Sequence, residues 1–266
     1  MQLSIKLEVF RRINEGGTPL TGQDIRLAYY SQSRSVFFIR LTGLHNNSES
    51  ANRILTEANN KGLNNPWDSY PEAKEVWFDW WDKSNQQKGQ TPSLMFLWYL
   101  ICLDRNQLNR ILTTPGGTQH LNIRFRETTE EALDIYCAQL QYQDSTNDKD
   151  FLLLNINFLS GKYFSSFATF FYQIISRKLP SIKANKYKQL AFLIAGLVEL
   201  KIEPNELSDQ QWNVIGDFMK STRVKGKEIL GGNDTYPESK GRWVNRSGQK
   251  RQCDKFVEIV KRINNY

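Results

Sequence analysis

The side chains best suited to chemistry crowd into one short stretch near the start, KLEVFRRINEGGTPLTGQDIRLAYY, from Lys6 to Tyr30. An apolar, strand-like run (Leu7, Val9, Phe10) ends in Arg11 and Arg12, then breaks at Asn14, Gly16 and Gly17. Paired glycines accept positive φ and let backbone amides come close to a partner. Thr21 stands three residues ahead of Asp24, a variant of the capping box, so Gln23, Asp24, Ile25 and Arg26 open a helix. Arg12, Asn14, Gly16, Gly17, Gln23 and Arg26 therefore gather at one strand–turn–helix corner. Amide donors and guanidinium groups at such a corner suit an anion or a phosphate. The same spacing also suits an ordinary tight turn before an amphipathic helix, since double glycines are common turn formers. On spacing alone, both readings stand.

Taken as a string, VFRRINEGGTPLTGQDIRLAYY resembles the second signature, F-x-R-I-N-x-G-G-x-x-L-x-x-Q-(E/D)-I-R, of a large bacterial family. These are the ParB/sulfiredoxin-like domains of GmrSD-type, modification-dependent restriction systems and related anti-phage proteins. Phe10, Arg12, Ile13, Asn14, Gly16, Gly17, Leu20, Gln23, Asp24, Ile25 and Arg26 match it, over about a tenth of the chain. The family's first signature, an Asp-Gly-Gln-Gln-Arg string, is missing, and Met1 stands just ahead of the second. The resemblance thus implies the C-terminal part of such a protein, truncated or encoded apart from its N-terminal half. It implies that residues 1–44 are the remnant of a ParB-like α/β nucleotide-binding domain. Arg12, Asn14, Gly16, Gly17, Gln23 and Arg26 would be its nucleotide- and phosphate-binding residues. In the complete protein, the resemblance implies a nucleoside triphosphate with Mg, NTPase and restriction activity, and a His-Asn-His type nuclease domain. The upstream segment would supply much of the pocket, so the chain alone is expected to be non-catalytic.

The elements that must position these residues are helical. At 266 residues, with 39% hydrophobic and 24% charged residues, the chain can bury a sizeable core. Its 12% aromatic content, including seven Trp, separates it from disordered chains. Cys102, Cys137 and Cys253 lie far apart, without the spacing of a disulfide framework or zinc site. His45 and His120 stand alone, outside any nuclease or metal context. The start MQLSIKLEVFRR lacks a signal-peptide pattern. The two most apolar runs, Leu94–Leu103 and Leu190–Leu200, hold 10 and 11 residues, half the ~20 a membrane span requires. A cytoplasmic protein with no membrane partner is expected.

From Ser33 onward, capped apolar-periodic segments predict a mainly α multi-helix bundle carrying the short N-terminal strand–turn–helix remnant. Helices are expected over Ser33–Leu44, from Ser48 to Asn59, over Pro71–Lys88, and from Pro92 through Leu103. Another spans Thr129–Gln143, ending at the polar break Gln143–Asp150, followed by two or three apolar helices between Phe151 and Ile202. A helix capped by Ser208 with Gln211 runs to about Met219 or Arg223. Short strands are expected near Leu3–Phe10 and Asn122–Arg126. Trp77, Trp80 and Trp81 make one helix face aromatic, but interleaved Glu72, Glu75, Asp79 and Asp82 favour packing over base stacking. Residues 45–266 would form one helical domain.

The tail differs in character. Residues 220–262 hold 12 Lys/Arg and 5 Asp/Glu, a net of +7, whereas the preceding 219 residues hold 23 of each sign. All net charge thus sits in the last sixth. Gly231–Gln252 reads as a polar loop, and Gly248–Asn264 as an amphipathic helix. Lys240, Arg242, Trp243, Arg246, Lys250, Arg251 and Lys255 are the candidate nucleic-acid-binding residues, aromatic and basic together. A solvated basic helix that closes the bundle is the competing reading. Three functions follow as expectations. The first is a non-catalytic, DNA-associated subunit or fragment of a GmrSD-like defence system. The others are a helical module that completes a separately encoded N-terminal half or meets a nuclease subunit, and an NTP-dependent enzyme.

Overall fold

The computed structural model describes residues 22–44, 49–83, 92–106, 129–146, 159–231, 236 and 246–265. Both expected strands lie outside these residues. Among the described residues the fold is all helix, with eleven α-helices and short 3-10 and π turns between them. They are α1 (Gly22–Tyr29), α2 (Arg34–Thr42), α3 (Glu49–Asn60), α4 (Pro71–Asp82), α5 (Pro92–Leu103) and α6 (Thr129–Thr146). Then come α7 (Phe164–Gln173), α8 (Tyr187–Leu200), α9 (Asp209–Lys220), α10 (Thr222–Leu230) and α11 (Arg246–Asn264). The mainly α bundle expected from periodicity is what forms.

Helix α5 is the axis. Its sequence PSLMFLWYLICL carries no charge, and every side chain from Met95 to Cys102 is buried. A helix apolar on all sides can satisfy itself only by being surrounded. It packs most extensively on α8, then on α2 and α6, while α8 turns its other flank to α11. The start of α5 meets the end of α2 backbone to backbone. A Cβ on Gly43 would stand 2.7 Å from the Ser93 amide nitrogen, so only glycine allows this approach.

On one side of α5 lies an aromatic layer. Trp77 of α4 meets Phe167 and Phe171 of α7 edge to face, with Trp77–Phe171 centroids 4.9 Å apart, and Trp80 meets Phe171 in the same way. Trp67 donates its indole N–H to the Thr42 carbonyl at 2.8 Å, and Trp80 donates to Ile182 at 2.6 Å. The tryptophan face is therefore a packing face. Burying each of these rings contributes of the order of 3–5 kcal/mol as judged by truncation.

Three boundaries differ from expectation. Helix α6 continues past Gln143 to Thr146 because Asp144, in its last turn, has a partner. Its carboxylate accepts from Ser33 Oγ (2.6 Å), the Ser35 amide (2.8 Å) and Ser35 Oγ (2.8 Å), at the N-terminus of α2. Helix α4 ends at Asp82, short of the expected Lys88, with the Lys83 amide closing onto the Asp79 carbonyl. The helix capped by Ser208, by contrast, ends at Lys220, within the expected range, where Ser221 leaves helical geometry (φ −139°, ψ 66°) and α10 begins beyond it. The capping box itself forms, Ser208 accepting from the Gln211 amide and Gln211 from the Ser208 amide. Helix α11 starts at Arg246, inside the stretch read as loop.

Candidate functional site

Of the corner residues, Arg12, Asn14, Gly16 and Gly17 lie outside the described residues. Gln23 and Arg26 are on α1, and both are turned inward, 2% and 3% exposed. Arg26 Nε donates to Asp134 of α6 at 2.6 Å, and its Nη1 donates to the Gln23 side-chain oxygen at 2.6 Å. A buried guanidinium requires such a carboxylate, because desolvation alone would exclude the charge. The pair fastens α1 to α6. Residues 27–44 belong to the same apolar core as the helices that follow them.

The C-terminal cations divide into two sets. Lys240, Arg242 and Trp243 lie outside the described residues, and of Arg246 only the backbone at the start of α11 is described. Lys250 points along its own helix and donates to Asp254 at 2.6 Å. Arg262 reaches across to α10, donating to the carbonyls of Ile229 and Leu230 and to Glu258. It thereby covers carbonyls that the end of α10 leaves open. These two cations serve the bundle. Arg251 and Lys261 of α11 and Arg223 and Lys227 of α10 are exposed, while Lys255 is half-buried.

Helix α11 can present cations outward because its other face is spent. Cys253, Phe256, Val257, Ile259, Val260 and Ile263 are buried against α8, α9 and α10. Phe256 meets Phe218 and Tyr236 edge to face, at 5.0 and 5.9 Å. Helices α10 and α11 pack on each other, so their cations share one end of the molecule.

A second constellation was not singled out from the sequence. Where α5 ends, Asp104 and Arg105 are 5% and 7% exposed. Asp104 accepts from the Tyr136 hydroxyl at 2.8 Å. Arg105 is gripped by Glu199 of α8 through Nη1 (2.5 Å) and Nη2 (2.9 Å), and by Asp254 of α11 through Nε (2.6 Å). Burial on its own would raise the Asp254 carboxyl, but Lys250 and Arg105 outweigh it and hold the group below the usual carboxylate range. Burial and the nearby Asp104 push the Tyr163 phenol up. Asp104, Arg105, Tyr163 and Glu199 line a cleft of about 460 Å³ between the ends of α5 and α8 and the π turn Leu159–Tyr163. The one sequence signal for them was a charged Asp-Arg pair placed directly after an uncharged run.

His45 and His120 lie outside the described residues. Among the described residues, no group of three or more His, Cys, Asp and Glu side chains could hold a metal ion. Nor, among them, is any helix long and apolar enough to cross a membrane. No protein-family model, curated protein or solved structure matches this chain.

Proposed function

We propose that the chain is a non-catalytic, nucleic-acid-associated component that lays its C-terminal helices on a phosphate backbone. The observation that carries this reading is the segregation of charge, none net before residue 220 and +7 after it. Its support in the fold is that α11 buries one face in the bundle while Arg251 and Lys261, with Arg223 and Lys227 of α10, stay exposed. A local positive field of this kind attracts a polyanion without requiring base recognition. A GmrSD-like restriction or anti-phage system is the proposed setting, on the resemblance of Phe10–Arg26. The reading as an independent NTP-dependent enzyme is weakened by Arg26, whose charge is engaged by Asp134.

The test is fluorescence anisotropy with a labelled duplex at low salt. The Arg223→Ala, Lys227→Ala, Arg251→Ala variant should bind at least about tenfold more weakly, the loss expected from three phosphate contacts. A variant with exposed cations removed elsewhere, Arg53→Ala, Lys83→Ala, Lys183→Ala, should bind as the parent does. Equal affinity in all three proteins would overturn the proposal and favour the protein-interaction module.

A further inference from the structure

Cys102 and Cys253 stand about 150 residues apart in the sequence, yet the fold makes them neighbours. Cys102 lies in the last turn of α5 and Cys253 on the packed face of α11, both fully buried. Their side chains hydrogen-bond each other. Two further sets of contacts hold the helices at this spacing. On one side, Arg105 donates to the Cys102 carbonyl at 2.8 Å and to Asp254, the residue after Cys253, at 2.6 Å. On the other, Phe192 of α8 meets Trp98, four residues before Cys102, and Phe256, three residues after Cys253, with centroids 6.1 and 6.2 Å apart. Cys137 has different surroundings, since on α6 it lies beside Arg26 and Asp134.

A thiol is a weak donor and a weak acceptor, so this contact adds little to stability as it stands. Its meaning is chemical. Two sulfurs within hydrogen-bond reach need to approach by only about an ångström each to reach the ~2.05 Å of a disulfide. In the closed bundle the pair is inert, because the thiolate is the nucleophile and burial pushes the Cys102 thiol well above its ordinary value. Reaction therefore requires α11 to swing away from α5. That helix is packed along one face and carries exposed Arg251 and Lys261, and one helix opens at lower free energy than the whole bundle. We propose that Cys102 and Cys253 are a peroxide-oxidisable dithiol, converted to a disulfide that clamps α11 to α5. In the first step a thiolate attacks hydrogen peroxide and breaks its O–O bond. The products are a sulfenic acid and a hydroxide that takes up the thiol proton as water. The second thiol then attacks the sulfenic sulfur, forming the S–S bond and releasing a second water. Two electrons pass from the sulfurs to the peroxide, and both thiol protons leave in the waters. The disulfide closes a loop of about 150 residues and constrains the unfolded chain, so the oxidised protein is the more stable form.

The test exposes the full chain to hydrogen peroxide under native conditions, then denatures it, alkylates the remaining thiols and maps its peptides by mass spectrometry. The reduced protein should take an alkyl group on all three cysteines, and the oxidised protein on Cys137 alone. One cross-linked peptide should join Cys102 to Cys253, about two mass units lighter than its reduced halves together. The Tm of the oxidised protein should rise by about 5–10 °C and return on adding dithiothreitol. Cys253→Ser should give neither cross-link nor rise, while Cys137→Ser should behave as the parent does. Three alkylated cysteines after peroxide, a cross-link through Cys137 or between two chains, or sulfinic acids with a falling Tm would overturn the proposal. The peptide map of the unmutated protein decides the question even if a variant fails to fold. No nucleic acid enters this test, so the dithiol and the nucleic-acid reading can fail independently.

Discussion

Arg105 shows how single residues hold this molecule. One guanidinium bridges α5, α8 and α11, replacing lost hydration with bonds to Glu199, Asp254 and the Cys102 carbonyl. Its partner Asp254 has a lowered pKa, so this carboxylate contributes stability that is present above the ordinary carboxylate range. That contribution is lost as pH falls through the lowered value, because protonation breaks the bonds to Lys250 and Arg105. Thermal melts from pH 6 down to pH 2 should therefore show a shallower acid decline in Asp254→Asn than in the parent. Parallel acid limbs would remove Asp254 from the account. None of this network could be read from the sequence. Arg105, Glu199 and Asp254 are scattered along the chain, and their meeting depends on how three helices pack.

At the scale of elements, Asp144 is the clearest case of one helix organising another. Ser33 accepts from the Val36 amide and caps α2, and Asp144 then supplies a carboxylate to the same helix start from the far end of α6. Asp144→Ala should cost about 2 kcal/mol, the scale of hydrogen bonds to a charged acceptor, measured by urea unfolding with an unchanged m-value. A loss within about 0.5 kcal/mol, typical of neutral surface changes, would show the bonds to be incidental. The helices themselves were legible, since apolar spacing, the Ser208–Gln211 box and the Ser33 cap are local signals. Their ends were not always so. The polar stretch after Gln143 reads as a break, yet Asp144 is helical because its acceptors are used by α2. Helix α10 was likewise not foreseen, since no side-chain cap marks its start at Thr222. Within the candidate site, Gln23 and Arg26 read as phosphate ligands from their spacing, whereas their burial depends on Asp134, far away in sequence.

For the molecule as a whole, a neutral bundle built around α5 carries one charged end. The neutral part explains its own composition, because buried aromatics and interhelical ion pairs account for its tryptophans, Arg26 and Arg105. The cations of α10 and α11 are explained only in part by the bundle. Lys250 and Arg262 are bonded within it, and the side chains of Arg223, Lys227, Arg251 and Lys261 are exposed. The most direct test of the claim that this end meets a phosphate backbone is the salt dependence of duplex binding by the unmutated chain. With about four phosphate contacts, log K should fall against log salt with a slope of roughly −3 to −4. A slope near zero, or no binding even at low salt, would contradict it.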